Sequence, residues 1–225
     1  TGGSCPGSRF PAVDVGVRAR FDCSGVLPTA LLVDEKTILL GCADGALVSY
    51  NWDGYQKSKL SLLPPGEDLD AREPWLNNQS VQTLQYCRSR RTLLILLKNG
   101  MCALYMFSSD GLRLKSSSSS FCWVLAPRSE TITAASLSPE SHTLALGTQC
   151  GAVHLYAIGN DLSQHKLRTL SLAEWGHTGQ SSGGVESVRW TADGRAMAIV
   201  WEKAGLSVWT ASGCRLMYHL EGHTG

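Results

Sequence analysis

The chain has 225 residues, a formal net charge of +1 at pH 7 and 17% charged residues. A balance this close to neutral excludes a global basic surface for nucleic acid, and the charged fraction lies below the roughly 25% typical of globular domains, which favours extensive burial or interfaces. The longest apolar run is about six residues, far short of the roughly 20 that span a bilayer as a helix, so we predict a soluble, partner-binding protein without a transmembrane segment.

One block of sequence recurs four times along the chain without a gap. The copies are residues 26–50, 81–105, 132–156 and 185–209. Each copy opens on a β-branched aliphatic residue and closes on an aromatic one, and the closing residues are Tyr50, Tyr105, Tyr156 and Trp209. A period of roughly 50 residues built from short strands is typical of β-propellers and related repeat arrays.

Positions inside the block are also repeated. Three columns are large and apolar: Leu31, Tyr86, Leu137 and Trp190; Ile38, Leu93, Leu144 and Met197; Leu40, Ile95, Leu146 and Ile199. A glycine-containing turn follows in each copy: Asp44-Gly45, Asn99-Gly100, Cys150-Gly151 and Lys203-Ala204-Gly205. Asp-Gly and Asn-Gly predict type I′ hairpin turns, whose two central residues both need a positive φ.

Each block therefore contains three strands, and a fourth, outer strand falls in the segment that follows it. The predicted outer strands are residues 56–62, 121–125, 166–172 and 215–220. We predict an all-β propeller with four blades of four antiparallel strands, at about residues 26–62, 81–125, 132–172 and 185–220. A β-sandwich also has short strands and turns, but it would not need the same column chemistry in every copy.

The segments before the first block and after the fourth are each too short to form a whole blade. Residues 1–25 are expected to be a lead-in segment or an edge strand, and residues 221–225 the start of a further blade. Because propellers close into rings of about 4–8 blades, we expect four blades plus a start to be part of a larger ring. The first residue is Thr1 rather than a methionine, which is the expectation for a fragment.

The segments between the blocks carry most of the individual features. Residues 63–80 are rich in proline and acidic residues and predict an exposed loop, and residues 176–184 predict a glycine-rich loop. The five-serine run at residues 116–120 predicts a flexible tip or, alternatively, a phosphorylation site. The eight cysteines include no C-x-x-C pair, and several fall in predicted strands as buried thiols, which favours a reducing, cytosolic location.

Motifs for catalysis are missing from the sequence. It contains no G-x-x-x-x-G-K phosphate loop, no G-x-S-x-G elbow and no histidine pair at zinc-ligand spacing alongside cysteines. Asp34 and Glu35 are adjacent carboxylates in a turn, where solvated charge is the expected state. We therefore assign no catalytic, cofactor-binding or metal-binding residue, predict no cofactor, and expect a protein that is not itself an enzyme.

Two Gly-His dipeptides, at His177 and His223, resemble the dipeptide that precedes the inner strand in WD-repeat proteins. In that family the histidine bonds to a Ser or Thr, an Asp and the Trp of the third strand. Here Trp201 stands where the Ser or Thr is expected, and Glu202-Lys203 where the Asp is expected. None of the four closing aromatics is followed by Asp, so the chain resembles a divergent WD-repeat propeller held together mainly by core packing.

The fourth block carries a more specific resemblance. Its stretches are Val188-Arg-Trp190, Ile199-Val-Trp-Glu202, Gly205-Leu-Ser-Val-Trp209 and Gly213-Cys-Arg-Leu216. They are similar to the Ric-one family, the large WD-repeat subunits of a Golgi exchange factor for a Rab GTPase. The first block (residues 37–45 and 51–54) and the third (146–147 and 151–156) fit in the right order, although Ala204 and Thr191-Ala192 depart from the usual pattern.

That resemblance implies a function without covalent chemistry. The family's subunit pairs with an arrestin-like partner, and the complex promotes GDP release from a Golgi Rab of the Rab-six class during endosome-to-Golgi retrograde transport. It implies a cytosolic protein that associates peripherally with Golgi membranes through its complex, and it assigns the exchange or partner site to no residue of this chain. An interaction scaffold in another trafficking or coat complex remains as the alternative, and a propeller enzyme with a site in its central channel as a third hypothesis.

Overall fold

The computed structural model describes residues 27–62, 79–107, 114, 121–124, 130–175, 183–212 and 215–220. Blade A is made of β1 (Pro28–Asp34), β2 (Thr37–Cys42), β3 (Ala46–Tyr50) and β4 (Gln56–Ser61). Blade B is made of β5 (Val81–Cys87), β6 (Thr92–Leu97), β7 (Cys102–Met106) and β8 (Phe121–Trp123). Blade C is made of β9 (Ile132–Leu137), β10 (Thr143–Thr148), β11 (Val153–Ile158) and β12 (Gln164–Leu170). Blade D is made of β13 (Val185–Trp190), β14 (Ala196–Trp201), β15 (Gly205–Thr210) and β16 (Leu216–Leu220).

Each blade is a four-stranded antiparallel sheet whose strands pair in chain order. The first strands of neighbouring blades contact one another, β1 with β5, β5 with β9 and β9 with β13, so the four sheets stand side by side around their inner strands. This architecture confirms the predicted all-β fold with propeller blades. The only helical element among the described residues is one 3-10 turn at Leu172–Trp175, and none of them forms a helix long and apolar enough to span a membrane.

The closing aromatic of each block belongs to the core, as predicted. Tyr50, Tyr105, Tyr156 and Trp209 are all buried. Each of them lies opposite the same aliphatic column of its second strand: Ile38 with Tyr50, Leu93 with Tyr105, Leu144 with Tyr156 and Met197 with Trp209. The repeat read from the sequence is therefore a repeat of cross-strand pairs.

The prediction for the inner strand of blade A is wrong by two residues. Leu31 pairs with Leu40, and the equivalent partner of Ile95 in blade B is Leu84 rather than Tyr86. The β1–β2 connection is only Glu35-Lys36, whereas residues 88–91 make the corresponding connection in blade B. Aligning the blocks without gaps therefore places β1 two residues out of register with the inner strands of the other blades. Because side chains alternate between the two faces with a period of two, this error does not change the face on which a residue lies.

The prediction of type I′ turns is also wrong. Gly45, Gly100 and Gly151 have φ values of 79°, 82° and 81°, but the described non-glycine residues with positive φ are Arg91, Ser141 and Leu162. Each glycine closes a three-residue turn with a bond such as Gly45 N–H to the Cys42 carbonyl at 3.1 Å. Only one left-handed residue is needed in this geometry, a type I turn followed by a glycine bulge. Asp44 instead accepts the Ala46 N–H through its side chain, at 3.0 Å.

Three of the four buried apolar clusters lie between neighbouring blades, and the fourth consists of residues of β2 and β3 in blade A. Alternate residues of β6 face opposite neighbours: Leu93, Ile95 and Leu97 pack with residues of blade A, and Leu94 and Leu96 pack with residues of blade C. A strand buried on both faces is expected to be a continuous apolar run, which explains the sequence Thr92–Leu97.

Two glycines let an inner strand approach the preceding blade closely. A Cβ atom added at Gly41 would lie 2.4 Å from Val81 Cγ1, and one added at Gly147 would lie 2.4 Å from Val185 Cγ1. Gly41 and Gly147 occupy the same register position in blades A and C. The junctions between A and B and between C and D therefore use the same glycine–valine contact.

Several predicted features lie outside the described residues. They are residues 1–25, most of the loops 63–80 and 176–184, the serine run 116–120, and residues 221–225. The two Gly-His dipeptides fall in these segments as well.

We expect Gly147→Ala to destabilise the protein by about 1–3 kcal/mol, the usual cost of overpacking a core, because the new methyl group would overlap the Val185 side chain. The free energy of unfolding by urea measures the change. The double variant Gly147→Ala/Val185→Ala is the control, since the smaller residue makes room for the methyl group. The contact would be disproved if the two changes were simply additive, because residues in contact couple and distant ones do not.

Candidate partner-binding surface

The connections β1–β2 and β3–β4, with their counterparts in the other blades, lie at one end of the sheets. We call this end the loop face; its described residues are 35–36, 51–55, 88–91, 138–142, 159–163, 191–195 and 211–212. Loops at one end of a rigid β scaffold are common binding sites in proteins. The three junctions between blades are closed differently on this face.

At the junction of blades A and B an arginine bridges two carboxylates. Arg88 lies 2.5 Å from Asp34 and 2.9 Å from Glu35, and its side chain is 63% exposed. The neighbouring Asp34 charge is the main cause that raises the pKa of Arg88. Glu35 is 74% exposed, as expected for a solvated charge, whereas Asp34 is 23% exposed, and the turn presents both carboxylates to the next blade.

An aromatic pair projects beside this ion pair. Trp52 donates its indole N–H to the Glu35 carbonyl at 2.7 Å, yet half of the residue is exposed, and Tyr55 on the same loop is 74% exposed. Exposed aromatics fixed next to charged groups are frequent at protein interfaces.

At the junction of blades B and C a second arginine is half-buried and fully bonded. Arg90 donates to the carbonyls of Ser141 at 2.8 Å, Ile158 at 3.0 Å and Gly159 at 2.7 Å, and to Asn160 Oδ1 at 2.9 Å. Its fifth contact, to His142 Nδ1, is 3.4 Å long. The guanidinium of blade B thus ties together both loops of blade C on this face.

At the junction of blades C and D the loop face carries a cleft of about 440 Å³, which we call the C/D cleft. Its lining combines apolar, acidic and basic side chains: Ser138, Pro139, Glu140, His142, Thr143, Leu155, Leu167, Arg168, Trp190, Asp193, Gly194, Ala211 and Ser212. A hydrogen bond from the Thr191 hydroxyl is the first cause that lowers the pKa of Asp193.

Blade C also contains a buried polar cluster. The His154 ring is buried and bonds to Thr169 Oγ1 at 2.9 Å and Glu130 Oε2 at 2.7 Å, so both ring nitrogens have partners. Tyr156 lies nearby. Its pKa is raised mainly by burial and, to a smaller extent, by the negative charge of Glu130. Buried polar groups are normally satisfied in this way, and this cluster satisfies a histidine within an otherwise apolar column.

In blade D a buried serine satisfies the hydrogen bonds of neighbouring polar groups. Ser207 accepts the indole N–H of Trp201 at 2.6 Å and that of Trp209 at 2.8 Å, and all three residues are fully buried. Ser207 and His154 stand at the same register position, opposite Ile199 and Leu146. The sequence analysis missed both residues, although a polar residue in a column otherwise filled by Val48 and Ala103 was a usable signal.

Cysteines among the described residues are free thiols, and no group of three His, Cys, Asp or Glu side chains there could hold a metal. Cys42, Cys87 and Cys102 are buried, as expected for thiols within strands. Burial raises the pKa of the Cys102 thiol far above its usual value.

The outermost strands of the array expose apolar side chains. On β1, Leu31 and Val33 are 63% and 52% exposed, and on β16, Tyr218 and Leu220 are 64% and 62% exposed. Val188 in blade D and Leu170 in blade C, the register equivalents of Leu31 and Leu220, are buried against a neighbouring blade, whereas Arg168, the equivalent of Tyr218, is exposed. Exposed apolar faces of this kind mark interaction surfaces.

No known family model matches the chain. It is 23% identical, over 224 residues, to the guanine nucleotide exchange factor subunit RIC1 of Mus musculus and to the same subunit of Homo sapiens. Each alignment covers 94% of this chain but only 15% of the relative's length. The similarity therefore reaches all four blades of this chain and a small part of each relative.

We expect Arg90→Ala to destabilise the protein by at least about 2 kcal/mol, because it leaves several half-buried carbonyls without a charged donor. Arg88→Ala is the matched control on the same loop, and its exposed ion pairs should contribute little and lose their effect in high salt. Unfolding by urea at low and high salt measures both variants. Equal losses of stability for the two would show that burial does not distinguish these arginines.

Proposed function

We propose that the chain is the propeller part of a longer exchange factor subunit of the Ric-one type. With an arrestin-like partner, this subunit would promote GDP release from a Golgi Rab GTPase of the Rab-six class and so support retrograde transport from endosomes. The observation that carries the proposal is the similarity to RIC1 over 94% of the chain, together with the resemblance in the fourth block.

Exchange requires only binding surfaces. A factor that binds the nucleotide-free GTPase better than the GDP-bound one accelerates release, and this differential affinity is the whole driving force. The blade array offers two kinds of surface for such a role, the loop face with Trp52 and Tyr55, and the apolar faces of β1 and β16.

These two kinds of surface suit different partners. Leu31 on β1 and Leu220 on β16 stand at register positions whose residues pack between blades elsewhere in the array, so we assign these two faces to further blades of the parent protein. The loop face carries exposed aromatics beside charges, so we assign it to the partner subunit or the GTPase. Membrane association would then be peripheral, through the complex, and the protein itself cytosolic.

Release of fluorescent GDP from the Golgi Rab tests the function, with the full-length parent protein purified together with its partner. The intact complex should accelerate release, and the double variant Trp52→Ala/Tyr55→Ala should lose most of the acceleration. Lys203→Ala is the control, because Lys203 is equally exposed but lies at the opposite end of blade D.

Two results would count against the proposal in different ways. If the intact complex does not accelerate release, the exchange function is wrong and the interaction scaffold is favoured. If acceleration survives in the Trp52/Tyr55 variant, the exchange function stands and the assignment of the loop face is wrong. Co-purification of the partner with each variant separates loss of assembly from loss of exchange.

A further inference from the structure

The three junctions of the loop face show what normally fills the space between two blades. An arginine of blade B closes each of the first two junctions, Arg88 towards blade A and Arg90 towards blade C. At the third junction the corresponding space is the C/D cleft. The repeat therefore provides an internal template for the occupant of this cleft.

The walls of the C/D cleft match the niche that holds Arg90. In that niche the acceptors are the carbonyls of Ser141, Ile158 and Gly159 of blade C. The residues at the same register positions in blade D are Gly194, Ala211 and Ser212, and all three line the cleft.

Backbone hydrogen bonds establish this correspondence. Ser141 closes its turn with a bond from its N–H to the Ser138 carbonyl, and Gly194 does the same with Thr191. The Ile158 N–H donates to the His142 carbonyl, and the Ala211 N–H donates to Arg195 in the same way. The two loops of blade D thus repeat the two loops of blade C that Arg90 joins.

The basic side chain is what differs between the two junctions. Blade B supplies Arg90 from its loop at residues 88–91. The corresponding loop of blade C, residues 139–142, reads Pro-Glu-Ser-His and contains neither arginine nor lysine. The space that a guanidinium fills at one junction is left open at the next.

The side chains around the C/D cleft suit a guanidinium from outside. Glu140 and Asp193 place two carboxylates at its wall, one from each blade. Trp190 adds an indole where blade C has Leu137, and its N–H is already used by the Ser136 carbonyl at 3.2 Å. Guanidinium groups stack on tryptophan rings and pair with carboxylates, and both contacts strengthen as water is excluded.

Two basic groups oppose this attraction. Arg195 lies 3.8 Å from the Asp193 carboxylate, although its side chain is 87% exposed. A bulge in β12 between the partners of Leu155 and Tyr156 brings Leu167 and Arg168 to the same wall. Arg168 is exposed on this outer strand, whereas Glu140 and Asp193 come from the two loops that form the niche. Two carboxylates and two exposed guanidinium groups balance one another. The match to the niche of Arg90, with Leu155 and Leu167 to cover the apolar stem of an arginine, is therefore what favours this occupant.

We propose that the C/D cleft binds an arginine side chain of a partner protein, in the place that Arg90 occupies between blades B and C. The occupant is a partner because the described loops of blades C and D provide no basic side chain in the register position of Arg90. The inference stands on the geometry of the junctions and does not depend on the exchange function.

Nuclear magnetic resonance of the chain with ¹⁵N-labelled tryptophan tests the proposal. The probes are N-acetyl-arginine-N-methylamide and its neutral, nearly isosteric citrulline counterpart. We expect the Trp190 indole resonance, identified by its loss in Trp190→Phe, to shift saturably with the arginine probe and not with the citrulline probe. The buried indoles of Trp201 and Trp209 should not respond, which reports that the fold is intact.

Variants of the carboxylates sharpen the test. Glu140→Gln should weaken binding of the arginine probe about two- to fivefold, the size expected for one partly exposed ion pair. Glu140→Arg should abolish the response by placing a guanidinium in the cleft. Glu186→Gln is the matched control, because Glu186 is an exposed carboxylate of β13 that does not line the cleft, and it should leave binding unchanged.

Three results would overturn the proposal. They are an unresponsive Trp190 resonance, an equal response to the citrulline probe, and a stronger response to N-acetyl-glutamate-N-methylamide, which would assign the cleft to an acidic partner through Arg168. If Glu140→Gln disturbs the buried indole resonances, Asp193→Asn takes its place, and unchanged affinity in that variant would also contradict the proposal.

Discussion

Burial of each sheet between two neighbours is the constraint on which the whole structure depends. A blade in the middle of the array has no core of its own, because the apolar residues of a strand such as β6 face blade A and blade C in turn. Its stability is therefore a property of the array, as in other repeat proteins where each unit rests on its neighbours. Among the described residues, β1 and β16 expose apolar side chains at the two ends of the array, while residues of β2 and β3 on the same face of blade A as Leu31 are buried.

Close packing at the inner strands alternates along the array. Thr29 donates to the Val81 carbonyl at 2.7 Å and Thr133 to the Val185 carbonyl at 2.5 Å, beside the two glycine–valine contacts. Between blades B and C the amide of Gln85 takes this place, since it donates to the Leu137 carbonyl and accepts the Leu137 N–H, both at 2.9 Å. The contacts between inner strands hold neighbouring blades together at every junction. The loops can therefore differ from one junction to the next.

This freedom explains how the chain departs from the WD-repeat pattern without losing the fold. The polar tetrad of that family is incomplete in blade D, where Trp201 replaces its Ser or Thr, and Ser207 instead satisfies two buried indoles. In blade C the same position is His154, held by Thr169 and Glu130. The polar group in the core changes from blade to blade, while the aliphatic and aromatic columns around it are kept.

The fold could be predicted from sequence because those columns recur, and strand pairing follows from them. The register of β1 could not be predicted, because the Glu35-Lys36 turn is two residues shorter than its counterpart in blade B and an alignment without gaps cannot show this. The predicted turn type was wrong because Asp-Gly suits two hairpin geometries, which differ in loop length and in the sign of φ at the aspartate.

The candidate surface was less accessible to sequence reasoning than the fold. Arg88 and Arg90 are both arginines and lie two positions apart on the same loop. Which blade each of them faces is decided by how the blades pack and cannot be read from the sequence. The acceptors of Arg90 are backbone carbonyls, and these leave no mark in a sequence. The C/D cleft likewise becomes visible only when the two junctions are compared.

Hydroxyl-radical footprinting of the full-length parent protein tests most directly the claim that these blades belong to a larger array. It measures the exposure of side chains, with Trp52 and Tyr55 as exposed references and Tyr156 as a buried one. We expect Leu31 on β1 and Leu220 on β16 to be protected nearly as well as Tyr156, because their register equivalents Val188 in blade D and Leu170 in blade C are buried between blades. Modification of Leu31 and Leu220 at the rate of exposed side chains such as Trp52 and Tyr55 would contradict the claim.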